Sequence, residues 1–344
     1  MRAFFLGLLL IALSASFARA FQTNVGGEGA QFLEIGAGAR ALGMGEAYGP
    51  LAEGPEAIYW NPAGLAQQRR PEVSYSHSEL YGNHHHDFLA YAHPVSLLRG
   101  TLAVAYTRLS QEQLPVVTNT NTRVGDFTPH SDAFLVGYAH NFDVDSSIGD
   151  DRDYFGEKWD LPGTIRPFAR DRGVWAGRLM LGFALEGVSE HLYDHSANAV
   201  AVNGGALFHP LRLPQLALSF AFRNAFGQEK FNQENQKLPV EVDIGAAYDR
   251  RWWHARFVPA AEIAVPYFGI PFLKLGGEYS CAIGNDMTGA MRAGINTQSM
   301  SDLGVLSGFT IGLGLQYRRL GMDFAFEPMS DLGQSFRLTA GWKW

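Results

Sequence analysis

From Glu72 onward the chain breaks repeatedly into segments of about 8–12 residues in which large apolar side chains alternate with small or polar ones, the length of a barrel strand. Leu102, Val104 and Tyr106 form one such set; Phe134, Val136 and Tyr138 form another. The pattern recurs in Leu218, Phe220 and Phe222, in Ile311, Leu313, Leu315 and Tyr317, and in Met322, Phe324 and Phe326. Fourteen segments are expected, at 72–80, 87–95, 100–109, 132–141, 177–188, 197–209, 215–223, 239–249, 255–266, 271–280, 287–296, 308–317, 320–327 and 333–344. Period-two alternation sends the two sets to opposite faces of a sheet. In a soluble sandwich the large set faces a core, and in a membrane barrel it faces lipid. Alternation alone serves both.

Two other features favour the barrel. Residues 1–20 have a charged start at Arg2, a short apolar run and Ala18-Arg19-Ala20, the layout of a cleavable signal peptide. Beyond it no stretch of 18 apolar residues occurs, so no spanning helix is expected. Yet 47% of residues are hydrophobic, 13% aromatic and only 18% charged, with 39 glycines, a mixture suited to strands and turns. Cys281 is the only cysteine, so no intrachain disulfide staples the fold. A net charge of −7 is mild and argues against broad nucleic-acid binding.

The connections fit a barrel whose strands start on one side of the membrane. Every second connection is tight, at 96–99, 210–214, 250–254, 281–286 and 318–319. The connections at 111–131, 224–238 and 297–307 are longer and polar, with 267–270 a short exception. Tight periplasmic turns and longer external loops are the barrel rule. The stretch 142–176 breaks it; Pro162, Pro167 and its charge density disfavour a spanning strand, so an insertion on the periplasmic side is expected. Trp342 and Trp344 end the last segment and suit an interfacial girdle.

Ahead of the strands lies a segment of different character, with Gly36, Gly38, Gly43 and Gly45 set around Arg40, then Tyr59-Trp60-Asn61-Pro62-Ala63-Gly64. Glycines permit close packing against other chain. Asn61 before Pro62 reads as a helix start, and Arg69-Arg70-Pro71 closes that helix early. Gly36-x-Gly38-x-x-Ala41, with Glu56 further on, matches a dinucleotide fingerprint, but Gly43, Gly45, Gly49, Pro50, Gly54 and Pro55 exclude the long helix it requires.

This segment resembles the N-terminal signature of the PorV/PorQ group of outer-membrane proteins, within the FadL-like barrels. The matching residues are Ile35-Gly36, Gly38-Ala39-Arg40, Gly43-Met44-Gly45, Ala47-Tyr48, Glu53 and the run from Tyr59 to Ala66, with Glu46 departing from a usual small residue. The resemblance continues through Asn224, Leu238-Pro239, Ile244–Tyr248, Gly277-Glu278-Tyr279, Arg292-Ala293-Gly294, Gly308–Gly314, Met322–Phe326 and the stretch 331–337. The resemblance implies residues 21–71 as a plug in the lumen at the periplasmic side, and residues 72–344 as the barrel. It also implies an accessory or shuttle role in protein secretion and surface assembly, or else uptake of long-chain fatty acids or other hydrophobic small molecules. A structural or adhesive barrel is the third reading. The partners implied are the outer-membrane bilayer, the barrel-insertion machinery and either secreted proteins or hydrophobic small molecules.

Little in the sequence points to chemistry. His84-His85-His86-Asp87, with His77, is the most metal-like group, but consecutive strand residues alternate faces, so it is assigned to an exposed loop without a metal. The acidic run from Asp143 to Asp153 lacks the pattern of a calcium loop. No nucleophile elbow, zinc-protease motif or P-loop occurs; Ser189, His191 and His195 form no recognisable triad. No enzyme and no cofactor are expected. Glu278, Arg292 and Asp323 sit on late strands and are expected to face the lumen, since a charge facing lipid is costly.

Overall fold

The computed structural model describes residues 28–344 except 145–176 and the single positions 194, 232, 233, 254 and 285. The expected signal peptide, residues 21–27 and nearly all of the expected insertion lie outside the described residues; Phe142 to Val144 complete a strand.

The spanning strands are β1 (Glu72–Leu80), β2 (His84–Val95), β3 (Gly100–Gln111), β4 (His130–Val144), β5 (Gly177–Leu192), β6 (His195–Pro210) and β7 (Leu216–Ala225). They continue as β8 (Glu241–Tyr248), β9 (Ala255–Pro266), β10 (Phe272–Ala282), β11 (Met287–Asn296), β12 (Phe309–Tyr317), β13 (Leu320–Pro328) and β14 (Gln334–Lys343). Each pairs antiparallel with the next, and β14 returns to β1 with Tyr75 opposite Ala340. The result is a closed 14-strand barrel. At the seam the Trp344 amide donates to the Pro71 carbonyl at 3.1 Å, and Lys343 Nζ lies 3.5 Å from Glu72. Closure leaves no unpaired edge, which is what a sheet needs within hydrocarbon.

The two ends differ. At one, tight turns join the strands, among them Ser96–Leu98 and the two residues Arg318 and Arg319. At the other, longer connections hold a hairpin of Leu114–Val117 and Arg123–Phe127, a second of Gln228–Phe231 and Glu234–Lys237, and a helix, Thr297–Leu303. The alternation also resolves: Val136, Phe220 and Leu313 are 43%, 44% and 57% exposed on the outer face. Their strand neighbours Leu135, Ala221 and Gly312 are buried inside. Large apolar side chains ringing the outside of a closed barrel have lipid as their solvent, so the soluble sandwich is excluded. The chain is a transmembrane antiparallel outer-membrane β-barrel.

The structure corrects one placement. His84, His85 and His86 are not in a loop; they begin β2, opposite Gln111, Ser110 and Leu109 of β3. Ladder bonds on both sides extend the strand through them. Alternation then splits them: His86 is buried and its Nε2 meets Thr107 Oγ1 at 2.7 Å, while His85 stacks on His77, 5.9 Å between centroids. Strands β5 and β6 also run past the expected ends, pairing as far as Leu192 and His195.

Depth should be measurable on the outer face. Leu313→Arg, at mid-strand, should cost about 2–4 kcal/mol in reversible unfolding from lipid vesicles, whereas Leu320→Arg at the tight-turn rim should cost about 0–1 kcal/mol. Equal costs at the two positions would contradict the assigned lipid belt.

Candidate functional site

The segment from Glu28 to Pro71 lies inside the barrel. It starts at the long-loop end, where the Gly29 amide donates to the Lys237 carbonyl at 3.0 Å. Phe32 and Leu33, in the short helix Gln31–Glu34, pack there with Val188, Ala199 and Leu238. The chain then descends towards the tight-turn end and joins β1 there. It therefore runs through the lumen from the long-loop end to the tight-turn end.

Two points of the segment bear on opposite walls. The turn Ala39–Gly43 packs on β11 to β14, and the helix Pro62–Gln67 packs on β4, β5 and β6. Glycines set the first contact. Gly43 lies against Gly312, where a Cβ would come within 2.9 Å of its Cα. Gly45 has φ +61°, and a Cβ there would meet the Ile295 amide nitrogen at 2.4 Å. Wall glycines Gly276, Gly294 and Gly312 on three adjacent strands receive this turn. Gly36 sits beneath the Trp60 ring, and Gly38 precedes the turn with φ +83°. At the second contact Asn61 caps the helix: its Oδ1 accepts from the Ala63 amide at 3.1 Å, and its Nδ2 donates to the Ala206 carbonyl of β6 at 3.2 Å. Pro62 takes the first helical position against Gly182 of β5.

Between these points lies a buried aromatic core. Trp60 Nε1 donates to the Ala37 carbonyl at 2.7 Å, and its ring stands edge-on to Tyr59 and Tyr48. The Arg223 guanidinium of β7 lies 5.0 Å and 5.3 Å from the Tyr59 and Trp60 ring centres.

Arg40 anchors the segment to the charged wall. Its Nε and Nη2 donate to the two carboxylate oxygens of Glu278 at 2.8 Å and 3.1 Å, and Nη1 pairs with Glu53. Glu278 also accepts from Arg292 Nε at 2.7 Å, and Arg292 Nη1 donates to Asp323 at 2.6 Å. The three expected lumenal charges thus face inward and meet one another. Gly314 on β12 makes this geometry possible, since a side chain there would fill the path from Arg292 to Asp323. Sequence reasoning missed Arg40's partner and a second wall network. In the latter, Lys274 Nζ lies 3.0 Å from Glu241, 3.2 Å from Asp243 and 3.7 Å from Glu262. Arg223 pairs with Glu241 and Asp243, and Glu262 accepts from the Gly49 amide at 2.9 Å. The available signal was charge at inward strand positions, the same signal that gave Glu278 and Arg292.

A cavity of about 310 Å³ opens below the segment, lined by Arg40, Glu53, Glu56, Glu278, Arg292 and Asp323 among others. Glu56, on the lumenal segment rather than a spanning strand, has its carboxyl pushed up to about 7 by burial, against the opposing effect of its bond from the Ser74 hydroxyl. Above the core a second, smaller cavity of about 20 Å³ lies beside Arg223, Glu241 and Lys274. The lower vestibule is therefore polar, the middle is filled, and the upper end is lidded by Phe32 and Leu33.

Arg40→Ala should weaken docking of the segment by about 2 kcal/mol, the scale of hydrogen bonds between charged groups, because Glu278 still keeps Arg292. Arg40→Lys should restore little, because it cannot make the two-pronged contact with Glu278. Protease sensitivity of residues 28–71 in the otherwise folded barrel reads the effect; unchanged resistance in Arg40→Ala would rule out Arg40 as an anchor.

No protein-family model and no curated protein matches this sequence. Among solved structures, the toluene transporter TodX of Pseudomonas putida aligns with 90% of this chain and 98% of its own, at 8% identity and a TM-score of 0.53. A FadL homologue of Pseudomonas aeruginosa aligns with 89% of this chain and 98% of its own, at 12% identity and a TM-score of 0.48. The likeness to TodX is one of fold, a closed barrel with nearly all of both chains aligned.

Proposed function

We propose that this barrel passes small hydrophobic molecules across the outer membrane and that residues 28–71 close its lumen as a plug. The observation that carries the reading is the position of that segment: it fills the lumen without joining the strand ladder. A barrel of this strand number is too wide for its own side chains to fill, since about eight strands is the limit for that. A segment that fills the space but belongs to no ladder can be displaced without breaking the wall. Phe32, Leu33, Val188 and Leu238 form a buried apolar group at the long-loop end, which a hydrophobic molecule would pass once the segment moves aside. The fold shared with a toluene transporter supports the same class of cargo. Entry by a cleaved signal peptide and assembly by the barrel-insertion machinery belong to this reading.

The secretion and surface-assembly role rests on the PorV/PorQ signature alone. The same residues, Gly36, Gly38, Arg40, Gly43, Gly45, Trp60, Asn61 and Pro62, have structural work as the plug's contacts, so they do not separate the two roles.

Deleting residues 36–64 should leave an assembled, heat-modifiable barrel, because no ladder strand is removed. Single-channel conductance should rise from near zero to that of an open pore. Cells carrying the intact chain should take up labelled toluene faster than cells lacking it. An assembled deletion variant with parental conductance would remove the plug, and intact-chain uptake equal to the control would remove the hydrophobic cargo. Co-purification of a secreted protein with the detergent-solubilised chain would instead favour the secretion role.

A further inference from the structure

A separate cluster lies on the outer face of the barrel at the long-loop rim. His130 and Asp132 are two residues apart on β4 and so share a face, and His191 of β5 is the register partner of His130. The two imidazoles are nearly parallel, 7° apart in plane and 4.8 Å between centroids. One donor atom from each of the three residues lies within 4.8 Å of the others.

The surroundings orient these donors. His130 Nδ1 is 3.2 Å from the Thr128 carbonyl, which puts the ring proton on that nitrogen and leaves Nε2 with its lone pair. Nε2 faces Asp132 Oδ2 at 3.8 Å. The other carboxylate oxygen, Oδ1, is occupied: it accepts from the Tyr106 hydroxyl at 2.6 Å, and Arg108 Nε lies 3.4 Å away. A histidine tied through its second nitrogen to a carbonyl, beside a carboxylate tied through its second oxygen, is the outer-shell arrangement of protein metal sites. The gap from Nε2 to Oδ2 is too long for a hydrogen bond but suits two donors each about 2.0–2.2 Å from one ion.

A second histidine group on the same rim shows the contrast. His77 Nδ1 and Asp87 Oδ1 are 2.8 Å apart, in direct hydrogen bond, so those donors are spent on each other. At His130 and Asp132 they are not.

We propose that His130, Asp132 and His191 bind a divalent transition-metal ion of the Zn²⁺ class at the long-loop rim, clamping β4 to β5. Imidazole nitrogen with a single carboxylate suits such an ion better than calcium or magnesium, which prefer all-oxygen shells. Three protein ligands leave an open position towards the headgroup layer. Arg108 is the opposing charge, and its removal should tighten the site.

The test uses full-length protein purified in detergent, stripped with chelator and titrated with Zn²⁺ by calorimetry. Wild type should bind Zn²⁺, and His191→Ala and Asp132→Asn should each weaken it by about tenfold or more. Arg108→Gln should strengthen it, and His85→Ala, on the same rim, should leave it unchanged. Heat-modifiable gel mobility establishes that each variant is folded, and a Co²⁺ visible absorption band present in wild type should vanish in His191→Ala. Wild type that takes up no Zn²⁺ at millimolar concentration, or folded His191→Ala and Asp132→Asn variants that bind as wild type does, would overturn the proposal.

Discussion

Every other feature depends on closure. A membrane-spanning backbone must satisfy all its amide and carbonyl groups internally, and a sheet does so only by returning to its own first strand. Here that return is made by β14 on β1, with the Trp344 amide bonded to Pro71 and Lys343 beside Glu72. Pro71 is also where the lumenal segment ends. The seam therefore fixes the barrel and the root of its contents at one place. Closing so many strands creates an interior wider than side chains can fill, and the N-terminal segment answers that consequence.

The segment is fitted to the wall by absence as much as by contact. Gly43 and Gly45 meet Gly312 and Gly294 backbone to backbone, and Gly314 clears the path along which Arg292 reaches Asp323. Arg40 then reaches Glu278 with two donors, a geometry its planar guanidinium supplies and an ammonium does not. On the facing wall the contact is of another kind, a capped helix pressed on Gly182 and Gly205. A glycine-lined patch on each side lets a segment of ordinary residues span the space.

The barrel was legible because its rule is periodic. Each expected strand overlaps an observed one, and the inward set, including Glu278, Arg292 and Asp323, follows from counting by twos. Asn61-Pro62 was legible as a helix start because capping is local chemistry. What the sequence did not disclose depends on register between distant strands. That Gly314 lies opposite Asp323 and beside Arg292, or that His191 lies opposite His130, follows only once strands are paired. His84 to His86 were misplaced for a related reason: a run of polar residues looks like a loop until the neighbours on both sides supply ladder partners. The His130-x-Asp132 spacing was visible, but without its partner on β5 it had no meaning.

The wall charges bear on whether the lumenal segment is a permanent filling or a removable one. Burying an ion pair gains little over an apolar substitute, but stranding one member of a pair is costly. Glu278 keeps Arg292, and Arg292 keeps Asp323, whether or not Arg40 is seated. Likewise Lys274 holds Glu241, Asp243 and Glu262 on the wall itself, and the segment adds to that network the Gly49 amide on Glu262 and the Tyr59 and Trp60 rings beside Arg223. Had Glu278 or Glu262 depended on the segment alone, its departure would leave an uncompensated carboxylate facing the lumen. Instead each carboxylate keeps a cationic partner within the strands, and the segment adds a guanidinium, a backbone donor and two aromatic faces. The rest of its seat is the aromatic core around Trp60 and the backbone contact at the glycines. That is the energetic layout of a part that can leave the wall intact behind it.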